Sequence, residues 1–187
     1  MLRKNSINIR LAEPADVHQL ADLRWRLQTD DAEAFDIEER NRFVAEFSNF
    51  VMGRFGDESF SHWVVESDGH IVAVMSVIRV RKVPSPKSMD RNWGYLTNCY
   101  TQPEYRNSGI GSLLMSAVKD WAINQKYEFL AVWPSDRSYS FYERGGFHRY
   151  ADPLIFKIDD KEQQPYRRMP PLPDSPSRAN LKHATED

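Results

Sequence analysis

Gly109 and Gly111 sit where a strand-and-turn segment gives way to a helical pattern, within residues 95–123, YLTNCYTQPEYRNSGIGSLLMSAVKDWAI. Glycines at such a junction let the backbone come close to a ligand. The first-turn N–H groups of a helix have no intrahelical acceptor, and the dipole is positive at that end. With Arg106 close by, this is chemistry for holding a phosphate. Two common phosphate loops are excluded. A Walker A loop needs Lys-Ser/Thr directly after its second glycine, and here Ser112-Leu113 follows Gly111. A dinucleotide fingerprint needs a further glycine at position 114, which is Leu114.

The helix that must carry this loop is written in a periodic stripe: Ile110, Leu113, Leu114, Ala117, Val118, Trp121 and Ala122 follow the i, i+3, i+4 spacing of one buried face. Downstream, the apolar run 129–133, closed by Pro134, predicts a buried parallel strand. Residues 135–143 read as a short helix stopped by Gly145-Gly146, and residues 147–158 as a closing hairpin. Upstream, Ile7, Ile9 and Leu11 alternate as a first strand, and Pro14 opens a helix with Val17, Leu20, Leu23 and Leu27 as its buried stripe. A second helix carries Phe43, Val44, Phe47, Phe50 and Val51 and ends near Gly53 or Gly56. Strand-like residues 60–66 and 71–80 flank Asp68-Gly69, a hairpin signal, and residues 81–91 read as an exposed loop.

A chain of 187 residues suits one domain with a proper core, and 41% hydrophobic content excludes a wholly disordered protein. A net charge of −2 carries no polyanion signature, which argues against nucleic acid as a partner. The lone cysteine, Cys99, allows no internal disulfide and fits a reducing compartment. The basic N-terminus has no apolar run behind it, and no stretch reaches the ~18 apolar residues of a membrane span. A cytoplasmic protein is expected, with no membrane partner. Residues 159–187 hold five prolines, many charges and few apolar groups. They are expected to form a surface-draped tail, or to pack on a second subunit in a homodimer.

The spacing Arg106-x-x-Gly109-x-Gly111 resembles the acyl-CoA pyrophosphate loop of the GCN5-related N-acetyltransferases (GNAT). The segment 141–147, FYERGGF, is similar to that family's Tyr-Glu-x-x-Gly-Phe, and Asn98-Cys99-Tyr100-Thr101 before Pro103 resembles the fourth strand of a small-molecule branch. The order β-α-α-β-β-β-α-β-α-β-β over residues 7–158 agrees. The resemblance implies an α/β fold: a mixed central sheet of about six to seven strands, about four flanking helices, and strands four and five splayed. It also implies a GNAT domain at 1–158 with the tail at 159–187.

The resemblance further implies acetyl-CoA as co-substrate and a small-molecule amine as acceptor, by direct transfer in a ternary complex. The diphosphate would sit on Asn107, Ser108, Gly109, Ile110, Gly111 and Ser112, with Arg106 adding charge. The pantetheine arm would run along the backbone of Cys99, Tyr100 and Thr101, with the Cys99 N–H aimed at the thioester oxygen. The thiol itself reads as a small core group. Tyr142 would be the general acid, its phenol protonating the departing thiolate. Ser135 stands where many members carry an asparagine on the cofactor arm. Asn98 either faces the acceptor or satisfies a strand bulge, and Trp133 either walls the acceptor pocket or lies in the core. Glu66, Asp30 and Asp31 are candidates for the base. Six acids between residues 30 and 39 would draw a cationic amine, or would simply form a solvated loop and helix start. The histidines show no ligand spacing, so no metal is expected. Alternatives are transfer to a protein lysine or N-terminus and, from a different class, a non-catalytic acyl-CoA sensor.

Overall fold

The structure, a computed structural model, describes residues 7–29, 36–86 and 89–149. Its sheet follows chain order: β1 (Ile7–Leu11), β2 (Phe60–Ser67), β3 (His70–Arg81), β4 (Asn92–Thr101) and β5 (Leu130–Val132). The first four are antiparallel neighbours and β5 joins parallel to β4. Four helices accompany it among the described residues: α1 (Val17–Thr29), α2 (Ile37–Met52), α3 (Ile110–Asn124) and α4 (Tyr139–Arg144). The β2–β3 turn is made by Asp68 (φ 50°) and Gly69 (φ 80°). Positive φ at both central residues is what a two-residue hairpin needs to match strand twist.

The two faces of the sheet are covered by different helices because strand side chains alternate. Val64, Ile71, Val74 and Tyr100 meet Val17, Leu20 and Leu23 of α1 and Val51 of α2. Trp63, one residue from Val64, turns the other way and meets Trp121 of α3 at 6.1 Å. At the β1 edge, Arg10 donates to Asp16 at 2.6 Å and to Glu66 at 2.8 Å, and Asp16 also accepts from the Glu13 N–H at 2.8 Å. The Arg10 hydrogen bond holds the Asp16 carboxyl below the usual carboxylate range.

Five strands stand among the described residues, against the six to seven expected. The closing hairpin at 147–158 lies outside them beyond Arg149, as do the boundary at 158 and the tail; residues 147–149 carry no strand. The α3 stripe is rotated from its expectation. Leu113 is 52% exposed and Met115 is buried, because α3 meets the sheet through Ile110, Leu114, Met115, Val118 and Ala122. Pro14–Asp16 forms a 3-10 turn with a capping box ahead of the α-helix. Strand β4 begins at Asn92, earlier than the apolar pattern indicated.

Gly94 marks where β4 passes closest to its neighbours. A Cβ there would lie 2.5 Å from Leu130 Cδ2 and 2.8 Å from Val77 Cγ1. Gly94→Ala therefore forces the β4–β5 contact apart. A loss of about 1–3 kcal/mol is expected in denaturant unfolding, and an unchanged midpoint would contradict this packing.

Candidate active site

The parallel ladder between β4 and β5 is short. It pairs Gly94, Tyr95 and Leu96 with Leu130, Ala131 and Val132 and then stops, while β4 continues to Thr101. Beyond that point the strands part around a cavity of about 380 Å³. The expected splay is present. On its other edge β4 carries a bulge: Ser76 pairs with Thr97 and Val74 with Tyr100, so Asn98 and Cys99 both stand opposite Met75. Asn98 takes φ 50°, a left-handed value that asparagine tolerates better than most residues. A bulge breaks the ladder locally and re-aims the backbone, here beside the split.

The bulge settles the orientation of Asn98. Its amide nitrogen donates to Ser76 Oγ at 3.2 Å, and its oxygen is shut off from solvent. The side chain points inward, so the acceptor-facing alternative is corrected; Asn98 reaches the cavity wall without offering that amide to it. Ser76 Oγ in turn lies 2.7 Å from Nδ1 of buried His62. This buried polar chain ties β2, β3 and the bulge together.

Tyr142, 7% exposed on α4, and Cys99 face one another across the split, both lining the cavity. The Tyr142 hydroxyl hydrogen-bonds the Cys99 sulfur. The thiol donates on to the Thr97 carbonyl at 3.5 Å. Burial pushes the Cys99 thiol up to about 12. Burial, with Cys99 alongside, also raises the Tyr142 phenol well above its ordinary range, so it stays protonated.

At the other end of β4 the loop turns through Asn107 (φ 59°) and Gly109 (φ 87°) into α3. Arg106 Nε donates to the Thr101 carbonyl at 2.9 Å, fastening the loop to the strand end. No side chain caps α3, Leu113 N–H is the first to bond back to the Gly109 carbonyl, and a Cβ on Gly109 would meet nothing within 4 Å. The N–H groups of Ile110, Gly111 and Ser112 therefore front an open face, which fits a diphosphate. Gly111 also lies close to α4: a Cβ there would sit 3.3 Å from the Phe141 ring, a tight contact.

Ser135 lines the cavity, its hydroxyl donating to Ser138 Oγ at 3.0 Å. Trp133 also lines it, 41% exposed and edge-on to Tyr95 at 4.9 Å, so it is a wall and not core. Tyr100 has its side chain in the α1 core, with Arg106 over its ring, leaving its backbone for any ligand. Glu66 is engaged with Arg10 at the sheet edge and does not line the cavity, which removes it as a base. Asp30 and Asp31 lie outside the described residues. Of the remaining acids, Asp36 caps α2 by accepting from the Glu38 N–H, and Glu38 and Glu39 are exposed in its first turn. The charged residues that do line the cavity are Arg106 and Arg137, and Leu27, read as helix stripe, forms part of its α1 side. No periodicity signals such a lining, because it is assembled from α1, β4, β5, α4 and the turns between them. Among the described residues no helix is long and apolar enough to cross a membrane, and no group of acids, histidines and cysteine is placed to hold a metal.

No curated protein sequence matches the chain. Among solved structures, a predicted acetyltransferase with acetyl-CoA from Clostridium acetobutylicum is similar at TM-score 0.68 and 20% identity, covering 82% of this chain and 97% of that one. A GCN5-related N-acetyltransferase from Ralstonia eutropha JMP134 gives 0.64 and 20%, covering 82% and 100%. Glucosamine-6-phosphate N-acetyltransferase from Arabidopsis thaliana gives 0.61 and 18%, covering 82% and 99%. At such identities the likeness establishes the fold. The sequence profile of the acetyltransferase (GNAT) family matches residues 17–147, and with the split strands and the glycine loop described above, the chain belongs to that family of acetyl-CoA-dependent acyltransferases.

Proposed function

We propose that the protein acetylates the primary amine of a small molecule, by direct attack within a ternary complex. The observation that carries this reading is the Tyr142 hydroxyl resting on the Cys99 sulfur inside the β4–β5 split. Bound acetyl-CoA supplies an acyl thioester whose sulfur must leave with a proton. Residues 106–112 bind the diphosphate, and the backbone of Cys99 to Thr101, with Ser135, orients the arm. The Cys99 N–H donates toward the acyl oxygen; a fixed backbone donor of this kind is commonly worth ~3–4 kcal/mol. Tyr142 holds the proton for the departing sulfur.

Burial weakens Tyr142 as an acid, but it penalises a thiolate in the same place as well. The same surroundings push the Cys99 thiol up to about 12, so a leaving thiolate there is also a stronger base than in water. A thiol so hard to ionise is a poor nucleophile near neutral pH, which favours direct attack over an acyl-cysteine. No carboxylate lines the cavity among the described residues, so this reading gives the amine's proton to solvent.

The test is thiol release from acetyl-CoA with a panel of small amines, each product checked by mass. Amine-dependent release of one thiol per acetyl group is expected. Acetyl-CoA binding without release would point to a sensor, and faster turnover of lysine peptides would point to a protein substrate. The pH profile is a second check. Because the folded Tyr142 pKa lies above the ordinary ~10, kcat should show no descending limb below pH 10. A limb centred between pH 8 and 9 that Tyr142→Phe abolishes would overturn that ordering.

A further inference from the structure

One turn from the cleft, α1 carries a positive charge that has no partner among the described residues. Arg24 is half-buried on α1, one turn before Leu27, which lines the cavity. Among the described residues it has neither hydrogen bond nor ion pair; the α1 acid Asp22 is taken by Arg40 of α2, and Asp16 by Arg10. Burial lowers its pKa from the ordinary value, and Tyr95 is the ionisable group acting on it. A guanidinium nonetheless stays protonated across the physiological range. The Tyr95 hydroxyl likewise has no hydrogen-bond partner among the described residues, although its ring is held edge-on to Trp133 and the residue lines the cavity. Partly burying an unpaired guanidinium is unfavourable, and the balance is restored when a carboxylate or phosphate takes its fork of donors.

We propose that the acceptor is an amine that also bears an oxyanion, a carboxylate or a phosphate monoester, and that Arg24 and the Tyr95 hydroxyl hold that oxyanion beside Trp133 while the amine points toward Cys99 and Tyr142. The proposal rests on the N-acetyltransferase reading and names its substrate class. No acid lines the cavity among the described residues, so nothing there opposes an anionic acceptor. Of the acid-rich stretch after α1, Asp36 caps α2 and Glu38 and Glu39 lie exposed in its first turn, while Asp30, Asp31 and Glu33 lie outside the described residues.

The experiment compares each anionic amine with its neutral twin: amino acids with their amides, and amino-sugar phosphates with the free amino sugars. Thiol release is read as kcat/KM on the full chain. Wild-type protein is expected to prefer the anionic member of one pair class at least tenfold, chiefly through KM, with the responding class separating carboxylate from phosphate. Arg24→Gln erases that preference, and Arg24→Lys retains part of it. Neutral twins or spermidine serving equally well, or Arg24→Gln lowering both members of a pair by one factor, would overturn the proposal. If acetyl-CoA binds but no amine releases thiol, the transferase reading has failed on its own. Calorimetry of the same pairs on CoA-loaded wild-type and Arg24→Gln protein then decides the anion site: selective, Arg24-dependent binding of the anionic twin supports it, and equal binding overturns it.

Discussion

Tyr142→Phe is expected to lower kcat by ~10²–10⁴-fold while acetyl-CoA affinity stays within about twofold, because the substitution removes a proton donor and leaves the ring that fills the site. The ring is buried and packs edge-on against Phe141 at 5.2 Å, so phenylalanine keeps the shape of α4. The Cys99 sulfur loses its phenolic donor but keeps its own bond to the Thr97 carbonyl. Single-turnover thiol release is the measurement to make, since it separates the chemical step from product dissociation. A variant with wild-type single-turnover rate would show that Tyr142 only packs against the co-substrate.

The second large effect is on stability in mild acid. His62 is 5% exposed, edge-on to Phe60 at 4.3 Å, with Nδ1 tied to Ser76 and Nε2 unpartnered. Burial pushes its pKa down from 6.5 to about 4. The folded value lies below the unfolded one, so the neutral ring's stabilisation is complete above pH 6.5 and is lost as pH falls through about 4. The change amounts to about 3 kcal/mol across that window. Urea unfolding between pH 4 and 7 should show this slope, and His62→Gln should flatten it while lowering stability at pH 7. Asp16, held below its ordinary 3.8 by Arg10, titrates further down and leaves the window clear. A slope untouched by His62→Gln would assign the acid sensitivity elsewhere.

The glycine loop was legible in the sequence because its requirements are local. A loop that must turn through left-handed backbone at Asn107 and Gly109 and leave a helix start uncapped announces itself in six residues. Tyr142 was legible through the short segment around it. The rest of the cavity lining is a tertiary product: Leu27, Tyr95 and Trp133 come from α1, β4 and the end of β5, and none is unusual in its own neighbourhood. Leu27 obeys the α1 stripe, so periodicity assigned it to the core, although it lines the cavity. Helix α3 misled in a simpler way. Leu113 and Met115 flank Leu114 equally on a helical projection, and only contact with the sheet chooses between them. Asn98 was misleading if strict alternation was assumed, since alternation has no symbol for an inserted residue.

That insertion has a consequence for how the strand can change. Thr97 shares a face with Ser76, and Tyr100 with Val74, so the residues pointing at α1 are odd-numbered up to the bulge and even-numbered after it. Strand β4 thus runs in two reading frames joined at Asn98. Deleting that one residue would merge the frames into one plain alternation with Tyr100 still opposite Val74, and would remove the re-aimed backbone beside the split. Kept apart, the frames are separable modules. Tyr95 in the first frame can be exchanged without shifting Tyr100 and Thr101 in the second.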